Sequence, residues 1–180
     1  MNLIQSAPIW LIALLCAFLV AAAIEDVSRL RVSNVTVIAV IATAVLAVVL
    51  AGPSIAVWQN LLVFALLLAG GTLLFGLGKV GGGDVKLFAA TGLWTDLHQG
   101  LILISAVFIA GGIVALVVLF PRLFSKRKRG LREGQKMVPY ALAIAAGGLL
   151  VIGLQRSAAE PSRPNPLEFH PIASADATLR

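Results

Sequence analysis

Six apolar stretches, separated by short polar joints, set the pattern of this chain. They fall at roughly residues 8–24, 35–50, 57–77, 85–97, 99–120 and 137–154. None alternates between apolar and polar; "LIALLCAFLVAAAI" is apolar throughout, which argues against barrel strands. In lipid a spanning segment must satisfy its own backbone, so each stretch is expected to be a helix. The expected fold class is therefore all-α, a polytopic membrane protein with about six transmembrane helices. Five stretches suit a hydrocarbon core of about 30 Å. The fourth, 85–97, is the weak one. It is short, contains Gly92 and carries Lys86 and Asp96. At 1.5 Å per residue it reaches only about 20 Å, so it needs local thinning or a wet surround.

The joints are "EDVSRLRVSN", "AGPSIA", "GLGKVGGGD" and "PRLFSKRKRGLREGQK". Beyond Leu154 the chain turns polar and proline-rich. The reading is a membrane-embedded domain over 1–154 and a disordered tail over 155–180.

Composition agrees. Of 180 residues 59% are hydrophobic and 12% charged, against about 25% charged in a soluble domain. The net charge of +6 could suggest nucleic acid, but most basic residues sit in short joints, where they set membrane orientation. On alternate sides of a six-helix arrangement the Lys and Arg residues divide 11 against 3. The basic side, with Arg29, Arg31, Lys79, Lys86 and the "SKRKR" cluster, is expected to be cytoplasmic. The N-terminus and tail then lie outside. This division itself needs the fourth crossing. One cysteine, Cys16, lies inside an apolar run, so neither a disulfide framework nor a cysteine zinc site is expected. The first run has no Lys or Arg ahead of it and is read as a retained helix.

Two aspartates then stand out. Asp26 closes the first stretch and Asp84 opens the fourth. Two crossings separate them, so they share one membrane face. Asp26 alone could be an interfacial anchor beside Glu25, and Asp84 alone could cap the helix after it. Together they can do more. Two close carboxylates do not both ionise easily, so one keeps a proton. The ionised one activates water and the protonated one polarises a peptide carbonyl. Gly81, Gly82 and Gly83 permit unusual backbone conformations and close approach of another chain.

Three motifs carry a resemblance. "GGGDVKLFAATGLW" resembles the GxGD motif of type IV prepilin peptidases, which continues Asp-x-Lys-Leu. "DVSRLRVSN" resembles that family's first motif, an aspartate followed by basic residues and a hydrophobic-Pro-Asn. "VPYALAIAAGG" resembles its last helix, which opens on a Pro-aromatic pair. The length resembles the short form that serves tight-adherence (Flp-type) pili. The resemblance implies a catalytic pair, Asp26 and Asp84, with Gly81, Gly83, Lys86, Asn34, Pro139 and Tyr140 on supporting motif positions. It implies an endopeptidase of the bacterial inner membrane that cuts the basic leader from a prepilin at the cytoplasmic face, without cofactor or metal. Ser33 and Leu142 stand where the family often has proline. The long form's inserted Cys-x-x-Cys domain, linked to N-methylation, has no counterpart, so only the peptidase is carried over.

Other features rank lower. "GLGKVG" matches a dinucleotide fingerprint but follows a spanning helix rather than a strand. "SKRKRGLR" is read as a lipid-facing, topology-setting cluster, not a nucleic-acid site. His98 is taken as a loop residue and Cys16 as packing. The rival readings are an archaeal preflagellin peptidase, or a transporter or scaffold with an incidental aspartate pair. Transporter carboxylates belong near the midplane, whereas both aspartates here lie at helix ends.

Overall fold

The structure is a computed structural model that describes residues 1–29, 31–52, 54–78, 80–124 and 140–159. The basic cluster, Pro139 and the chain from 160 onward lie outside the described residues. Every regular element among the described residues is a helix: α1 (Leu3–Ser6), α2 (Ile9–Arg29), α3 (Asn34–Ala51), α4 (Val57–Gly76), α5 (Gly82–Gly92), α6 (Leu97–Phe124) and α7 (Tyr140–Ala159). The expected all-α membrane class is thus the observed one. Five helices, all but α1 and α5, are long and apolar enough to cross a membrane.

The outer surface is apolar, as lipid requires. Ile38, Val49, Leu61, Leu73, Phe108 and Leu116 are all exposed. The interior is built from the inward faces of the long helices and from most of α5. In α2 the buried stripe runs Leu15, Leu19, Ala22, Ala23 and Asp26, so Asp26 continues the face that packs inward. Two hydroxyls inside the bundle are satisfied within their own helix. Thr43 donates to Val40 at 2.9 Å and Thr91 to Leu87 at 2.9 Å.

Contacts between helices give the register. Against α7, α6 places Gln99 at Gln155 and Val107 at Gly147, with Ala143 at Gly111; the two run antiparallel in constant register. At Gly147 an added Cβ would lie 2.8 Å from the Val107 backbone nitrogen, so glycine sets this approach. α2 also runs antiparallel to α7, with Leu19 at Gly148 and Ala7 bonded to Arg156. The "AIAAGG" stretch therefore serves packing.

The short α5 is the informative case. Its first residue meets Phe75, Val85 meets Gly71, and Gly92 meets Leu67 and Val63. Asn60 then donates to the Leu93 carbonyl and to that of Met1, both at 2.8 Å. So α5 runs back along α4 from its end almost to its start. It emerges level with the N-terminus, and α6 starts there. Eleven residues cover only about 16 Å, yet the chain crosses the bundle here. It can do so because α5 is sheltered: Leu87, Ala89, Ala90, Thr91 and Trp94 are all buried. Six crossings result.

Boundaries differ from the sequence expectation in four places. α2 runs on to Arg29, so Asp26 lies inside it rather than at its end. α5 starts at Gly82 and stops at Gly92, and residues 93–96 form a turn. α7 continues five residues past 154, because Gln155 and Arg156 bond to Gln99 and Ala7. His98 belongs to the first turn of α6, where the Asp96 carboxylate accepts from the Gln99 N–H at 2.9 Å.

Candidate active site

Three helix ends meet at one end of the bundle: the C-terminus of α2 and the N-termini of α5 and α7. Asp26 and Asp84 are both there, and both are buried, at 4% and 8% exposure. Asp26 Oδ2 accepts from the Ala141 N–H at 2.9 Å. That N–H belongs to the first turn of α7, which has no intrahelical acceptor for it. The carboxylate of α2 thus caps a helix that follows it by more than a hundred residues, and its charge suits the positive end of that helix. This partner could not be found from the sequence, since nothing local marks it.

Asp84 sits in the first turn of α5. The helix cap is Gly81, not Asp84 as the simple reading would have it. The Asp84 carboxylate turns back toward the Gly81 backbone. Asp84 lines a cavity with Tyr140, the residue before the Ala141 that Asp26 holds. The bundle therefore brings the two sequence-expected carboxylates to the same end.

The glycines work by space. Gly81 has φ −73° and ψ 141°, open to any residue. The described glycines with positive φ are Gly52 and Gly78, so the expected unusual backbone is not found in the triple glycine. Close approach is. A Cβ on Gly83 would stand 3.2 Å from both the Cβ and the carbonyl oxygen of Val32. Gly83 therefore lets the start of α5 press against the α2–α3 connection that follows Asp26.

Two more motif residues join the same contact. Lys86 Nζ donates to Asn34 Oδ1 at 3.3 Å, tying α5 to the start of α3. Tyr140 opens α7 and lines, with Asp84, a cavity between α4, α5, α6 and α7. Pro139 lies outside the described residues. Glu25 was not singled out by the sequence. Its Oε2 accepts from the Ser33 N–H at 2.9 Å and the Thr36 hydroxyl at 3.1 Å, which folds the α2–α3 connection. The departure at Ser33 also gains a reason. Ser33 caps α3, its Oγ accepting from the Val35 N–H at 3.1 Å. Its φ of −68° is one proline would share, but a proline could not donate to Glu25.

Among the described residues no three His, Cys, Asp or Glu side chains converge as a metal site would require. Chemically, the site offers two buried carboxylates, one held by a helix N-terminus and the other facing an apolar cavity.

A profile of the type IV leader peptidase family matches residues 13–116, which include both aspartates, the triple glycine and Lys86. No curated protein and no solved structure matched the chain.

Proposed function

Because the chain belongs to the type IV leader peptidase family, we propose that Asp26 and Asp84 are its catalytic pair, an aspartic dyad that removes the leader from a prepilin. That this is a multi-pass membrane protein with a leader-peptidase-like protease function follows from the family and the five apolar helices. The aspartic mechanism rests on one observation: two buried carboxylates from separate helices meet at the start of α7, Asp26 on the Ala141 N–H and Asp84 in the cavity that Tyr140 lines.

In the proposed reaction one carboxylate is ionised and one protonated. The ionised group takes a proton from water as the oxygen attacks the scissile carbonyl. The protonated group hydrogen-bonds that carbonyl oxygen and gives it its proton, forming a neutral gem-diol. The C–N bond then breaks. The first carboxyl returns its proton to the departing amine and the second recovers one from the collapsing diol. No covalent intermediate is needed. Gly83, Lys86 and Asn34 act as positioning residues, since they hold the two motif segments together, and Gly81 leaves room for the Asp84 carboxylate. Tyr140 lines the same cavity as Asp84.

The finer assignment is a bacterial inner-membrane enzyme whose dyad faces the cytoplasm and whose substrate is a prepilin of the Flp type. The uneven division of basic residues supports the orientation, since Arg29 and Lys86 lie at the dyad's end of the bundle. N-methylation is not part of the proposed activity.

The test is Asp26→Asn and Asp84→Asn, each removing a charge and almost no volume. With a candidate prepilin co-expressed, each should abolish leader removal at matched protein level. The double variant should be no worse than either alone, because residues that act as a unit are non-additive. Substantial cleavage by either single variant would overturn the dyad.

A further inference from the structure

The cavity that reaches Asp84 extends well beyond what a dyad needs. It has a volume of about 540 Å³ and lies chiefly between α4 and α6. Asp84 and Tyr140 stand at one end; the rest of the wall is apolar or glycine. Along α4 it runs from Leu66 to Leu74, about 12 Å at 1.5 Å per residue.

We infer that this groove seats one face of an apolar substrate helix, entering from the lipid between α4 and α6, with the scissile bond delivered to Asp84. The inference rests on the peptidase reading and deepens it. Four observations carry it. First, the groove is continuous with the carboxylate, which is 8% exposed and lines it. Second, an apolar groove cannot satisfy an extended backbone, so a bound segment must satisfy its own, as a helix does. Third, the length fits: the groove follows α4 for about 12 Å, about two turns of a helix. Fourth, both walls offer bare backbone. An added Cβ on Gly70 of α4 or Gly112 of α6 would meet no atom within 4 Å, so the space beside each is open for close helix approach. An acyl chain is the competing occupant, and the test separates the two.

The same geometry supplies the test. Gly70→Leu and Gly112→Leu put a side chain into the groove without striking the protein's own atoms at Cβ. Two substrates are compared in proteoliposomes holding the full chain. One is a membrane-inserted prepilin with its apolar helix. The other is a soluble peptide that spans the cleaved bond and ends before that helix. Each variant should cut the inserted substrate at least about tenfold more slowly, the effect of displacing one buried aliphatic contact, and leave peptide cleavage unchanged. Wild-type rates on both substrates would overturn the inference and leave the groove to lipid. A parallel fall on both would also overturn it, since the leucine would then be disturbing the carboxylates. A second readout needs no catalysis. With Gly112→Cys in a Cys16→Ser background, disulfide cross-linking to single cysteines along the substrate helix should peak every three or four residues. Uniform or no cross-linking would refute the placement. Failure of the peptidase reading would show separately, as peptide cleavage that survives Asp84→Asn.

Discussion

Gly81→Ala tests whether the exact seat of the Asp84 carboxylate matters. The backbone at Gly81, φ −73° and ψ 141°, is one alanine adopts freely, so no strain is expected from the main chain. The new Cβ, however, would stand 2.7 Å from Asp84 Oδ2 and 3.5 Å from Cγ. An ordinary contact begins at 3.4 Å, so the oxygen must retreat by about 0.7 Å. It is the far end of a side chain and can rotate away. The stability cost is therefore mainly that of alanine at a helix N-cap, about 0.5–1 kcal/mol. The catalytic cost should be larger. A misplacement of about 1 Å at a reacting group can cost a hundredfold, so about ten- to a hundredfold is expected here, or about 1.4–2.7 kcal/mol of barrier. Gly82→Ala is the internal control. Its Cβ would meet only the Phe75 ring at 3.3 Å, and that ring is 53% exposed and free to swing outward. The measurement is the initial rate of leader removal at matched protein level, beside the thermal midpoint in detergent. A Gly81→Ala rate within about twofold of wild type would show that the reaction does not need the carboxylate where the structure places it.

Further outcomes follow from the same geometry. Gly147→Ala should destabilise the bundle by about 1–3 kcal/mol, because its Cβ would lie 2.8 Å and 2.9 Å from Val107 backbone atoms; an unchanged thermal midpoint would contradict the α6–α7 packing. Single cysteines replacing Ser28 and Gly82, in a Cys16→Ser background, should label from the same side of the membrane, and one at Ser54 from the other; labelling of 28 and 82 from opposite sides would separate the two aspartates for good. Chelators should leave leader removal unchanged, and mature pilin released by the purified protein should carry a free amine. A methyl group seen by mass spectrometry would correct the second half.

Much of the site was legible because it is local. The glycine triplet and Asp84 are adjacent, and the five-residue gap between Gly76 and Gly82 keeps α5 beside α4. Asp26 falls on the buried stripe of α2, at the spacing of Leu19, Ala22 and Ala23. The charge division also required a fourth crossing, and the α4–α5 register agrees with it. What was not legible comes from distant segments. The Asp26 bond to Ala141 joins positions 115 apart. Glu25 acts through Ser33 and Thr36, and no periodic pattern marks an acidic residue for that role. The purpose of the motif glycines was half legible. That they permit close approach could be expected; that the neighbour is Val32 of the same chain could not.

The sequence by itself determined the helical class, the apolar crossings and the two aspartates on one side, because those depend on hydropathy, length and the parity of crossings. Tertiary structure alone decided that α5 could cross at eleven residues, since only the neighbours that bury it remove the need to span the full hydrocarbon width. It also decided which helix end holds Asp26 and that Asp84 opens on a groove between α4 and α6. A helix in lipid shows the same apolar face to a neighbour and to the bilayer. Which face meets which helix is set by close packing at residues such as Gly71, Gly147 and Gly148, and hydropathy does not encode it.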